Sequence, residues 1–194
     1  MVIDNFLTAE ALEKIREFCR CSTVWRVSYE SGYLGTIPEH GFASPLLAQI
    51  ATELRDKFPE IIGDHRLRNF WGFSYDSRLK GIGIHADQAA VNVNFWITPD
   101  EANLDPETGG LIIWDVASPE DWDFRKYNTD GPAMRAFLAR TGSKAVREPY
   151  RANRAVIFDS DLFHETDAIA FKDGYVNRRI NITMLYGRRT YYGK

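Results

Sequence analysis

His85 and Asp87, two residues apart in GIGIHADQAAVNVNFWIT (residues 81 to 98), are the pair in this chain whose types and spacing could do chemistry. At the period of two that a strand imposes they share a face, near enough for an imidazole nitrogen and a carboxylate oxygen to hold one cation. Two ligands do not make a tight site, so a third should arrive from elsewhere. Of the four histidines only His40, His65 and His164 remain. His40 in IPEHGF and His65 in GDHRL sit in polar, turn-like contexts and read as surface or capping residues. His164 follows a strand and a turn in RAVIFDSDLFHET, far along the chain. Two histidines and one carboxylate with open coordination positions suit a non-haem Fe(II) centre.

Those residues need elements to position them. From Thr8 to about Cys21 the apolar residues Leu12, Ile15, Phe18 and Cys19 follow a helical period, with Thr8 placed to cap. Ser44-Pro45 opens a second helix that carries Leu47, Ile50, Ala51, Leu54 and Phe58 to a stop at Pro59. After residue 66 the pattern changes to short strands, predicted at 68 to 75, 81 to 87, 91 to 98, 110 to 114, 154 to 159 and 179 to 186, with one helix at about 132 to 140. In VNVNFWI, Val91, Val93, Phe95 and Ile97 share one face, while Asn92, Asn94 and Trp96 share the other. RRINITMLYG splits the same way, with Ile180, Ile182 and Met184 opposite Arg179, Asn181 and Thr183. If the apolar faces pack on the helices, the polar faces look inward, where each unpaired group costs about 1–3 kcal/mol unless something polar sits there. On periodicity alone these faces could equally meet solvent.

His85-Ala86-Asp87, then His164, then Arg179 in RINIT resemble the Fe(II)- and 2-oxoglutarate-dependent dioxygenase superfamily over roughly residues 68 to 187. The resemblance implies a fold that is mainly β with flanking helices, a double-stranded β-helix core with the N-terminal helices packed on one sheet. It implies that His85, Asp87 and His164 bind Fe(II), and that Arg179 binds the distal carboxylate of the co-substrate 2-oxoglutarate, with O2 as oxidant. A guanidinium offers the planar fork that a carboxylate accepts bidentately, which a lysine does not. Arg178, of opposite parity, should point away toward a surface carboxylate. Tyr75, grouped by parity with Trp71 and Phe73, resembles the family tyrosine that hydrogen-bonds the co-substrate, and reads equally as core. Asn92, Asn94 and Thr183 are further candidates to touch the co-substrate or to tie strands together. GGLIIW resembles the strand after the metal loop, and NRAVIFDS the strand that delivers the distal histidine. The Arg-x-Asn-x-Thr pattern is similar to the nucleic-acid demethylase branch, but MLYG stands where that branch has a further arginine. The resemblance therefore implies cofactor binding without a nucleic-acid substrate.

Composition sets the outer limits. At 194 residues, 44% hydrophobic, the chain is expected to form one domain, helical over 1–65 with a β-helix core over about 66–187. A net charge of -3 supplies no basic field for nucleic acid. No apolar run reaches the roughly 20 residues that span a bilayer, so a cytoplasmic protein is expected. Cys19 and Cys21 diverge on a helix and form neither a disulfide nor a metal pair. The loop residues Trp114, Trp122, Phe124 and Tyr127 read as a cluster pinning a loop or as a substrate wall, and SGYLGTIPEHGF as an exposed turn or a lid. Three readings follow: an iron- and 2-oxoglutarate-dependent oxygenase acting on a small molecule or protein side chain, a cupin-like metalloenzyme without 2-oxoglutarate, and a non-catalytic binding module.

Overall fold

The computed structural model describes residues 1–76 and 81–189. Helix α1, Ala9–Cys21, starts at Thr8, whose side chain accepts from the Ala11 amide, and α2, Pro45–Lys57, starts at Ser44, which caps Leu47 in the same way. Their apolar stripes (Leu12, Ile15 and Cys19; Leu47, Ile50, Ala51 and Leu54) are buried as the spacing requires.

These stripes pack on one face of a seven-stranded antiparallel sheet. Its strands are β1 (Val2–Ile3), β2 (Val27–Tyr29), β3 (Tyr33–Thr36), β4 (Leu67–Tyr75), β5 (Val91–Trp96), β8 (Ala155–Asp159) and β10 (Arg179–Tyr186), in the order β1-β8-β5-β10-β4-β3-β2. Val93, Phe95, Ile182 and Met184 sit in one cluster with the helix residues. Burying each such side chain contributes about 1.5–3 kcal/mol, which fixes the register of β5 and β10 and therefore the direction of their other faces. Those faces look toward a second sheet of β7 (Ala145–Glu148), β6 (Leu111–Ala117) and β9 (Leu162–Thr166), in the order β7-β6-β9. Between the sheets Trp96 and Val156 meet Leu111, Tyr150 and Phe171. The polar rows thus point into the sandwich, and the solvent alternative falls: Asn92, Asn94, Arg179, Asn181 and Thr183 are all buried.

Several expected elements change. Residues 81–87 form no strand; the segment makes one isolated bridge, His85 to His164. Gly81 and Gly83 interrupt the run, and the Ala86 amide donates to the Tyr127 carbonyl instead of to a neighbouring strand. His164 is on β9, one turn beyond the NRAVIFDS strand expected to deliver it, because the chain crosses from the large sheet to the small one between β8 and β9. The first 65 residues supply β1, β2 and β3 as well as helices, and SGYLGTIPEHGF is not a free loop, since β3 within it pairs with β4. A short helix α3 (Phe124–Asn128) precedes α4 (Gly131–Thr141), the latter expected at 132 to 140. Among the described residues no helix is long and apolar enough to cross a membrane.

Candidate metal centre

His85 and His164 are drawn together by their backbones before their side chains are considered. Each amide donates to the other's carbonyl, at 2.9 and 2.8 Å, and the two rings come to lie 4.3 Å apart between centroids. The Asp87 amide donates to the Ser160 carbonyl, which turns the carboxylate toward the same point. His85 Nε2 is 3.9 Å from Asp87 Oδ1 and His164 Nε2 is 3.5 Å from Asp87 Oδ2. One ligand atom from each of the three residues lies within 4.8 Å of the others, the spacing expected of a shared cation. The convergence inferred from sequence is therefore present, though a bridge and not a strand produces it.

Both imidazoles have a fixed orientation. His85 Nδ1 lies 2.8 Å from the Gly83 carbonyl and His164 Nδ1 lies 2.9 Å from the Leu162 carbonyl. A carbonyl only accepts, so each Nδ1 carries the proton and each Nε2 offers its lone pair to the shared point. Burial, with His164 adding to it, pushes the His85 pKa down to about 4, so the ring is neutral at physiological pH. Burial alone works against the Asp87 carboxylate, but His164, His85 and the Asn92 amide hold its pKa below the ordinary value. A neutral His85 imidazole and an ionised Asp87 carboxylate are protonation states that suit a divalent metal.

Asn92 enters here in a specific role. Its Nδ2 donates to Asp87 Oδ2 at 2.8 Å, which orients that carboxylate, while Asn92 Oδ1 finds no partner among the described residues. Groups that orient a metal ligand typically contribute 10–100-fold in affinity. Asn92→Ala is therefore expected to weaken Fe(II) or Co(II) binding by about that factor with the secondary structure intact, as measured by metal titration beside circular dichroism. Unchanged affinity would reduce Asn92 to a cross-strand tie.

Arg179, Tyr75, Asn94 and Thr183 line one narrow inner cavity together with the three candidate ligands. Arg179 is 1% exposed. Its Nε donates to the Gly109 carbonyl, Nη2 to the Gly110 carbonyl at 3.3 Å and Nη1 to Asn181 Oδ1 at 3.2 Å. Its guanidinium carbon lies 4.8 Å from the centroid of the Tyr75 ring and 5.7 Å from that of Trp96. Among the described residues no carboxylate forms an ion pair with it, and burial pulls its pKa down; the carboxylate of Asp167 is engaged by Arg147. Burial pushes the Tyr75 phenol up, against the pull of Arg179 and Thr166, so it remains a protonated donor. Asn94 Nδ2 donates to Thr183 Oγ1 at 2.9 Å, leaving Asn94 Oδ1 without a partner among the described residues.

Gly110 makes the Arg179 contacts possible: a Cβ there would meet the Glu148 carbonyl oxygen at 1.9 Å, and Gly109 adopts φ +83. In sequence GGLIIW resembled a strand after the metal loop, and nothing there marked the Gly109 and Gly110 carbonyls as partners of Arg179. Arg178 points the other way, with Nη2 3.6 Å from Asp76. His40 ends a 3-10 turn, partly buried, and His65 is exposed; neither belongs to the cluster. Trp122 and Tyr127 pack with Phe163, Met134 and Leu138, with Trp114 against them, which settles these three as a loop anchor. Phe124 is 47% exposed and lines an outer cleft of about 1280 Å³ that shares His85, Asp87, Trp71 and Phe73 with the inner cavity.

No family model and no curated protein matches the sequence. Solved structures match over nearly the whole chain. HygX from Streptomyces hygroscopicus, with nickel, 2-oxoglutarate and hygromycin B bound, is 14% identical, with a TM-score of 0.66 covering 98% of this chain and 83% of that one. SnoK, a non-haem alpha-ketoglutarate-dependent carbocyclase from nogalamycin biosynthesis, is 10% identical, with a TM-score of 0.69 covering 96% and 79%. A prolyl-4-hydroxylase from Pseudomonas putida is 18% identical, with a TM-score of 0.52 covering 97% and 92%. The fold is that of the Fe- and 2-oxoglutarate-dependent oxygenases, a double-stranded β-helix with flanking helices.

Proposed function

We propose that the protein is a non-haem Fe(II)- and 2-oxoglutarate-dependent oxygenase that hydroxylates a small molecule or a protein side chain. One observation carries this reading: a fully buried arginine, with no ion-pairing carboxylate among the described residues, lines the same cavity as a His-Asp-His cluster. A buried charge is costly unless a counter-charge meets it. A metal ion held by two neutral imidazoles and one carboxylate keeps a net positive charge and open positions. With a metal held there the cavity would be cationic at both ends, which suits a dianionic acid with its keto-carboxylate end toward the metal ligands and its far carboxylate toward Arg179. That requirement favours 2-oxoglutarate over a cupin-like centre without it, which has no use for Arg179.

In this arrangement His85, Asp87 and His164 hold Fe(II), and Asn92 keeps Asp87 turned toward it. Arg179, steadied by the Gly109 and Gly110 carbonyls, positions the far carboxylate, and the Tyr75 hydroxyl donates alongside it. Trp71 and Phe73 wall the cavity with aromatic surface and limit water. Fe(II) held there, with 2-oxoglutarate and O2, would supply the oxidising power for hydroxylation of a substrate C–H bond, 2-oxoglutarate being converted to succinate and CO2. The substrate enters from the outer cleft, which His85 and Asp87 line. Anaerobic addition of 2-oxoglutarate to the Fe(II) protein is expected to produce a visible metal-to-ligand charge-transfer band. A protein that binds Fe(II) at one equivalent and shows no band at saturating 2-oxoglutarate would sink the reading.

A further inference from the structure

The outer cleft has two linings of different character. One is aromatic. Tyr29 and Tyr33 stack at 4.4 Å between centroids with planes 13° apart, and Phe73 stands edge-on to Tyr33 at 5.1 Å. Trp71 continues the row 6.1 Å from Phe73. The row therefore runs from the sheet edge at β2 inward to the cavity that holds the metal cluster.

The other wall is cationic, in a chain whose net charge is -3. Arg68, Arg135, Arg188 and Arg189 line the cleft, and Asp87 is the one acid that does so among the described residues. Arg135 is neutralised by Glu165 and Arg189 by Asp161. Arg68 and Arg188 form no ion pair among the described residues, and both are exposed. Arg68 reaches the cleft because of a β-bulge: Asn69 pairs with Leu185 and Leu67 with Tyr186, so Arg68 has no partner across the ladder. A bulge of this kind re-aims a side chain. Without it, strict alternation would put Arg68 on the face of Phe70, which packs toward the helices. Arg68 then stands roughly 10 Å along β4 from Trp71, at about 3.3 Å per residue.

We propose, building on the oxygenase reading above, that the substrate is a small aromatic or apolar acid: its body lies on the Trp71–Phe73–Tyr33 row and its carboxylate or phosphate is held by Arg68 and Arg188. The two uncompensated guanidiniums offer charge-assisted hydrogen bonds at a fixed distance from the aromatic row. They orient the acid so that its body, and not its charged end, faces the metal cluster. A cationic molecule would meet like charge at the rim.

The test is equilibrium binding to the Fe(II) protein at saturating 2-oxoglutarate with oxygen excluded. The probes are 2-naphthoate, 2-naphthyl phosphate and 2-naphthylmethylamine, followed by quenching of tryptophan fluorescence. One of the two anions is expected to bind at least about tenfold more tightly than the amine, about 1.4 kcal/mol, and the tighter anion names the head group. Arg68→Gln combined with Arg188→Gln should remove that preference by weakening anion binding, with amine binding no weaker than in the wild type. Loss of the preference in Arg179→Met and not in the double variant would place the anion in the inner cavity and overturn the assignment. Equal affinity for anions and amine would overturn it too, as would tighter binding of a single-stranded oligodeoxynucleotide than of 2-naphthyl phosphate. The charge-transfer band is read on the same samples, so a missing band with the anion preference intact counts against the oxygenase reading and not against the ligand class of the cleft.

Discussion

His164→Ala and Asp87→Ala are each expected to reduce Fe(II) affinity by more than the roughly 10–100-fold assigned to an orienting group such as Asn92, and to bring 2-oxoglutarate turnover to background. Each substitution removes one of three donors, and the asymmetry between them is informative. Without Asp87 two neutral imidazoles face a divalent ion with no charge to offset it. Without His164 the carboxylate remains, but Asp87 loses the ring 3.5 Å away that helps hold its pKa down. The β9 backbone should survive His164→Ala, because its bonds to residue 85 run through main-chain atoms. Anaerobic Co(II) titration, followed by visible absorption beside a melting curve, checks this. Stoichiometric Co(II) binding by His164→Ala with wild-type affinity would show that the cluster is not a metal centre.

The sequence carried the ends of this argument better than its middle. Strand parity in VNVNFWI and RINIT correctly predicted which residues face inward, because the helix-packed core on the other face leaves no alternative register. His85 and Asp87 were legible as a pair, but their strand was not real. Gly81 and Gly83 break the run, and the donation from Ala86 to Tyr127 is a tertiary contact 41 residues away that no local pattern encodes. β9 was hidden for a similar reason. LFHET is too short and too mixed to announce a strand, and its pairing with β6 arises only when the chain changes sheets after Asp159. The role of Asn92 was open from sequence, since an inward asparagine can tie strands or orient a ligand. The structure shows it bonded to Asp87, five residues away, across a turn. What sequence could not weigh at all was the charge balance around Arg179. Parity predicted that it faces inward, but only its burial and its hydrogen bonds reveal a cation held by carbonyls and ring faces, with no carboxylate paired to it among the described residues.

That uncompensated charge makes Arg179 the most discriminating position to alter. If the far carboxylate of 2-oxoglutarate is its counter-ion, Arg179→Met should raise the 2-oxoglutarate concentration needed for half-maximal turnover by a hundredfold or more, about 2.7 kcal/mol at about 1.4 kcal/mol per decade. Removing one partner of a buried pair leaves the other charge without compensation, which is the expensive case. Arg179→Lys keeps the charge and one donor but loses the planar fork, so it should fall between the wild type and Arg179→Met. Arg178→Met should change little, because Arg178 turns outward to Asp76 and meets no part of the cavity. Succinate release against 2-oxoglutarate at saturating Fe(II) gives the ranking, and anaerobic titration of the charge-transfer band separates binding from turnover. The same three variants should bind Co(II) like the wild type, since none of these residues is a metal ligand candidate. A larger defect from Arg178→Met than from Arg179→Met would contradict the register itself, in which Arg179 pairs with Tyr75, Asn181 with Phe73 and Thr183 with Trp71 along one inward row. Equal and small defects would leave the register intact and remove the co-substrate from this end of the cavity, so the buried cation would need another anion.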